Sequence, residues 1–162
     1  MRDDASSGTA AGNGGFPIAG IRGAVHRASM GTIRIAAALI DDGEGRVFLV
    51  RKRGTAAFMQ AGGKIDAGET PLDALVRELM EELRFSPPRG EVAFLGDFSA
   101  PAANEPGEFV RASLFHIRCN QSFSVAAELE EAIWVSIADA GELNLAPFTR
   151  AYVLPIAIEL CR

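Results

Sequence analysis

The sequence predicts a mixed α/β fold in a single domain, with helices packed on a central mixed sheet. Three observations carry that prediction. Short apolar runs bounded by turn residues recur between residues 32 and 50. The hydrophobic period then switches to 3.6 residues between 70 and 83. Strand-like runs return after it, before a last apolar stretch at 147–160. A chain of 162 residues suits one domain. With 48% hydrophobic and 23% charged residues it is not a disordered chain.

The elements follow in order. Residues 1–30 are rich in Gly, Ala and Ser and lack periodicity, so a flexible N-terminal extension is expected there, with the domain over 31–162. Met30 directly precedes the first good strand and is a candidate start of the native chain. Residues 32–40 read as a strand, and 46–50 as a second. The turn Asp41-Asp42-Gly43-Glu44-Gly45 between them predicts a hairpin. Phe58 to Gln60 is a short apolar piece before Gly62-Gly63. Leu72, Leu75, Val76, Leu79 and Leu83 then share one helical face. Thr70 is the expected N-cap, Pro71 sits at the first helical position, and Asp73 completes an acidic variant of the capping box. Pro87-Pro88 and Gly90 end that region. Residues 92–98 and 108–118 read as strands around a Pro-rich loop at 100–108, and 132–136 as a short strand carrying Trp134. The closing helix, 147–160, is expected to be kinked or interrupted at Pro155.

Composition bounds the function. A net charge of −5 argues against wrapping nucleic acid, which needs a basic surface. A small anionic substrate remains compatible, because a bound cation can supply positive charge locally. Cys119 and Cys161 show no CxxC spacing and read as free thiols. No apolar run reaches the ~20 residues of a membrane span, and the N-terminus lacks the basic and apolar regions of a secretory signal. The expectation is a cytoplasmic protein.

The chemistry concentrates in residues 61–85. Glu78, Glu81 and Glu82, spaced i, i+3, i+4, fall within an arc of about 100° on the predicted helix. Crowding Glu78 and Glu82 costs about 0.2–0.5 kcal/mol on an exposed helix. A hard divalent cation offsets that repulsion, since Mg²⁺ and Mn²⁺ prefer carboxylate oxygens. Arg77 adjoins them but is expected to point to the side. Taken alone, such glutamates also suit a solvated acidic face. The preceding Gly62-Gly63 and Gly68 permit close approach of a ligand. Glu69 lies before the helix and can pair with Arg77 if the loop folds back.

Together these residues resemble the Nudix hydrolase family, whose signature is G-x5-E-x7-R-E-U-x-E-E-x-G-U, with U a bulky aliphatic residue. Gly63, Glu69, Arg77, Glu78, Leu79, Glu81 and Glu82 match at the required spacing. Phe85 stands loosely for the last U, and Arg84 replaces the signature Gly. That Gly caps the helix in a left-handed conformation. Arg84 therefore predicts an altered helix end with intact chemistry.

The resemblance implies a Nudix-type α/β/α sandwich and a Mg²⁺- or Mn²⁺-dependent pyrophosphohydrolase. Its substrate would be a nucleoside diphosphate linked to another moiety, such as a nucleotide, a nucleotide sugar or ADP-ribose. By position, Glu78 and Glu82 look like the main metal ligands, Glu81 like a further ligand or the base, and the Gly62 carbonyl like a backbone ligand. Glu69 and Arg77 look like the pair that orients the loop on the helix. Glu128, six residues before Trp134, sits where some relatives place one more acid, with Glu105 and Glu108 competing for that role. Arg51, Lys52 and Arg53 end the second strand and could meet phosphates, as could Lys64; Arg51, Arg53 and Lys64 are the favoured substrate contacts. Pro101, sixteen residues past Phe85, resembles the ADP-ribose-hydrolysing branch. His26 and His116 are isolated and read as non-catalytic. The implied partner is a small nucleotide-type molecule, not nucleic acid or membrane, and relatives are often homodimers. The alternative is a catalytically weak Nudix-fold nucleotide-binding module.

Overall fold

The computed structural model describes residues 31–126 and 128–162; the expected extension at 1–30 lies outside the described residues. From Ala36 onward, β1 (Thr32–Asp41) is fully buried, as a continuous apolar run demands of a central strand. It is followed in sequence by β2 (Arg46–Lys52) and β3 (Ala61–Lys64). Helix α1 (Pro71–Leu83) follows, then β4 (Ala93–Pro101), β5 (Phe109–Arg118) and β6 (Leu129–Ser136). A short α2 (Ile137–Ala140) and a closing α3 (Leu154–Leu160) complete the chain. The strands form one mixed sheet in the order β4-β5-β1-β2-β6, with β3 paired to β1. β1 runs parallel to β5 and antiparallel to β3.

Alternation along the strands splits the core in two. Ala36, Ala38, Ile40, Phe48 and Val50 face α1 and meet Leu75, Leu79 and Leu83. Ala37, Leu39, Val47 and Leu49 face the other side and meet Phe148, Val153 and Ala157. Helices thus cover both faces, giving the α/β/α sandwich. No helix among the described residues is long and apolar enough to cross a membrane.

Several expectations need correction. The β1–β2 hairpin is paired only near its turn, at Asp41 and Val47. Beyond that point β1 bonds to β3 and β2 bonds to β6, so the strands part. Phe58 and Met59 make isolated bridges, and the strand itself lies at Ala61–Lys64. β4 extends through Pro101, which an edge strand tolerates, so the following loop is shorter than expected. β6 begins at Leu129 rather than near Ala132. The closing helix is interrupted as expected, by a π-helical turn at Thr149–Val153 immediately before Pro155.

Helix α1 follows its sequence signals closely. The Thr70 hydroxyl oxygen accepts from the Asp73 N–H at 3.1 Å, with Pro71 in the first turn. Its far end does not deform. Arg84 adopts φ 53°, ψ 36°, and is the only non-glycine residue with positive φ among those described. Its N–H donates to the Met80 carbonyl at 3.1 Å, the αL cap the signature Gly would make. Tertiary packing of Leu83 and Phe85 holds this end in place, so the strain falls on Arg84 rather than on the helix geometry.

Arg84→Gly should therefore stabilise the protein by about 1 kcal/mol. Its melting temperature should rise by roughly 2–4 °C. A calorimetric scan showing no rise would contradict the strained cap.

Candidate active site

The glycines of β3 decide where α1 can lie. A Cβ on Gly62 would fall 2.1 Å from the Ala36 carbonyl oxygen, and a Cβ on Gly63 only 2.4 Å from Cδ of Glu78. The space that side chains would fill is taken by carboxylate and backbone. Gly62 also has φ 137°, which L-residues rarely adopt. Its N–H donates to Oε2 of Glu82 at 3.0 Å. Two acidic side chains of one helix are thus seated directly on one strand.

Arg77 does not point aside as expected. Its Nε and Nη2 donate to the two oxygens of Glu69 at 2.6 and 2.9 Å, a bidentate pair. Its Nη2 also donates to the Lys64 carbonyl at 3.0 Å, and its Nη1 to Glu78 Oε1 at 2.8 Å. One guanidinium therefore ties the end of β3, the loop after it and the helix together. Hydrogen bonds from Arg77, then from the Asp66 N–H, hold the Glu69 carboxyl down at about 2. Hydrogen bonds to Glu69 and Glu78 in turn push the Arg77 guanidinium further up.

The three helix glutamates differ sharply. The Glu81 side chain is 56% exposed, that of Glu78 14%, and that of Glu82 only 1%. A shared solvated acidic face does not describe them. Burial raises the Glu82 carboxyl to about 7, opposed by Lys52, whose Nζ lies 3.5 Å from Oε1. That Oε1 is buried with no hydrogen-bond partner.

These groups fit the divalent cation that the resemblance implies. An orphaned buried carboxylate oxygen, a second carboxylate seated beside it and only hard oxygen donors suit Mg²⁺ or Mn²⁺. Among the described residues no three acidic, histidine or cysteine side chains converge into a ready-made cage. The five-ligand set Gly62, Glu78, Glu81, Glu82 and Glu128 is accordingly not brought together. Glu128 is exposed, and its carbonyl accepts from the Arg53 N–H at 2.9 Å.

An open cleft runs between β1, β3 and the closing helix, reaching the glycines on which Glu78 and Glu82 are seated. Lys52, Gly62, Gly63 and Lys64 line one end; Ile33, Ile35, Val110 and Phe148 form an apolar wall. Pro101 and Glu105 also line it. Of the favoured substrate contacts, only Lys64 reaches the cleft. Arg51 pairs with Glu131 at 2.6 Å, and Arg53 with Glu130 at 3.8 Å. Lys52, the last residue of β2, takes their place; the register of β2 on β6 shifts between Arg51 and Lys52. His116 packs on buried Asp41, which Arg118 also meets at 3.1 Å. Glu108 lies against Gly31, outside the cleft lining. Gln60 and Thr149, bonded to each other across 89 residues of chain, carry no local signal in the sequence.

Residues 31–155 match the family model of the NUDIX domain. The chain is 29% identical over 123 residues to the CTP pyrophosphohydrolase of Escherichia coli K12, covering 73% of this chain and 86% of that one. It is 41% identical over 58 residues to the RNA pyrophosphohydrolase of Halorhodospira halophila, but that match covers 36% of this chain and only 31% of the relative. The solution structure of the E. coli ORF135 protein shares the fold, with a TM-score of 0.61 at 24% identity over 83% of this chain and 96% of that one. The chain belongs to the Nudix hydrolase family.

Two outcomes follow, the first for the metal-free protein. The folded Glu82 carboxyl titrates near 7 and an unfolded one near 4.5, so its cost to stability is absent below about pH 4.5 and complete above about pH 7. In EDTA, Glu82→Gln should be more stable than wild type at pH 8 by up to about 3 kcal/mol, the gap closing towards pH 4.5. Denaturant melts with equal gaps at both pH values would refute this. Separately, Gly63→Ala should keep its far-UV circular dichroism yet lose roughly 100-fold in turnover, because the added methyl displaces Glu78. Wild-type turnover in that variant would count against the seating of Glu78 on β3.

Proposed function

We propose that the chain hydrolyses a nucleoside diphosphate linked to another moiety, using Mg²⁺ or Mn²⁺. One observation carries this reading: the buried, unpartnered oxygen of Glu82 lies beside Glu78, and both carboxylates are seated on the glycines that line the polar end of the cleft. Names of relatives lend support, since one is a CTP pyrophosphohydrolase and another an RNA pyrophosphohydrolase.

Each side chain has a part. Glu78 and Glu82 would hold the cation, and the Gly62 carbonyl would assist. When bound, the cation supplies Lewis-acid stabilisation of charge on the pyrophosphate. Arg77 fixes the carboxylate of Glu78, and the Gly62 N–H fixes that of Glu82, so neither need reorganise. Lys52 and Lys64 flank the same end and would neutralise substrate phosphates. Glu81, the most solvent-open of the three, would take a proton from water or add a ligand.

The test is a panel of nucleoside triphosphates, ADP-ribose, nucleotide sugars, dinucleoside polyphosphates and 5′-triphosphate RNA, each with Mg²⁺ and Mn²⁺. At least one should be cleaved at the pyrophosphate, and Glu82→Gln should lower kcat at least 100-fold without unfolding. Tight binding of one compound with no turnover would favour a binding module instead. Unchanged kcat in Glu82→Gln at saturating Mg²⁺ would refute the assignment.

A further inference from the structure

Deep in the cleft wall lies a polar pair that the chemistry of α1 does not use. The Thr149 hydroxyl donates to Oε1 of Gln60 at 2.8 Å. Both residues are buried, at 1% and 6% exposure. Their surroundings are apolar: Met59, Ala146 and Phe148 line the same part of the cleft. A glutamine there is costly unless its amide is used, since an apolar side chain of similar size would fill the wall more cheaply.

The bond polarises what the amide offers. Oε1 is engaged by Thr149, while no described group meets Nε2. Gln60 lines the cleft, and with Oε1 turned to Thr149 the amide nitrogen is the end left to meet a ligand there. An amide carries two N–H donors on that nitrogen. Gln60 stands two residues before Gly62, roughly 7 Å along an extended chain from the carboxylate end. Thr149 opens the π-helical turn that interrupts the closing helix, and such turns recur at functional sites.

We propose that Gln60 reads the base of the substrate, presenting N–H donors that select a nucleobase with a carbonyl oxygen, and that Thr149 is a positioning residue that holds the amide in this sense. This rests on the cleft being a nucleotide site. Cytosine, uracil, thymine, guanine and hypoxanthine each carry a carbonyl; adenine carries none and offers an amine instead. An edge with a donor facing fixed donors leaves buried groups unpaired, which is how polar sites reject analogues.

The experiment compares inosine triphosphate with ATP, which differ at the 6-position in carbonyl against amine. CTP, UTP and GTP are run beside them, with Mg²⁺. Wild type should prefer inosine triphosphate over ATP by roughly tenfold or more in kcat/KM. Gln60→Leu should bring that ratio to within about threefold, through KM for inosine triphosphate more than through kcat. Thr149→Val should shrink the ratio in part and Thr149→Ser restore it, which a purely structural threonine would not do. Melting curves establish that each variant is folded; should Gln60→Leu fail to fold, the Thr149 pair and the wild-type ratio decide alone. A wild-type ratio near one, activity confined to adenine nucleotides, or a ratio unmoved by Gln60→Leu overturns the inference and leaves the hydrolase reading standing. Cleavage of no nucleotide at all sinks both.

Discussion

Helix α1 can lie on β3 only because two consecutive residues there have no side chain. The carboxylate of Glu78 occupies the space a Cβ on Gly63 would need, and the Gly62 N–H binds Glu82. Everything else at the site depends on that contact. It brings acidic groups against a strand edge, forces one of them out of water, and sets the cleft beside them. The strand tolerates glycines because β1 pairs with β3 throughout its length, Ile35 to Ala38 against Lys64 to Ala61. Backbone bonds there replace what side-chain packing would otherwise contribute.

The charges then have to be accommodated. Arg77 does so by meeting Glu69 and Glu78 at once, which fixes the loop and one carboxylate with a single guanidinium. Glu82 is left differently. A hydrophobic residue at 82 would pack among Leu79 and Leu83 at lower cost, as burying a carboxylate with an unpartnered oxygen is expensive. A folded protein retains such a group where it is used, and the fit to a hard cation gives it a use. Arg84 shows the opposite case: a strained left-handed residue in an otherwise ordinary cap, with no contact that explains the arginine.

Much of the fold was legible because local rules and tertiary packing agree. Thr70, Pro71 and the 3.6-residue leucine period placed α1 to the residue. Pro155 announced the break in the closing helix. Strand pairing was less legible. Asp41 to Gly45 announces a turn, but whether the flanking strands stay paired depends on β3 and β6 competing for their edges. Those competitors lie far along the chain. The same distance hid Gln60 and Thr149, whose significance arises only when a strand end meets the closing helix.

By itself, the sequence determined the family and the acidic helix, because the fixed offsets of Gly63, Glu69, Arg77, Glu78, Glu81 and Glu82 are properties of one continuous segment. Helical geometry turns such spacing directly into a face. Only the tertiary structure decided how unequal those glutamates are, since burial is set by what packs on the helix. It also decided that Lys52, and neither Arg51 nor Arg53, reaches the cleft. The register of β2 on β6 shifts between Arg51 and Lys52, and a strand's own residues do not announce where its pairing to a distant strand slips.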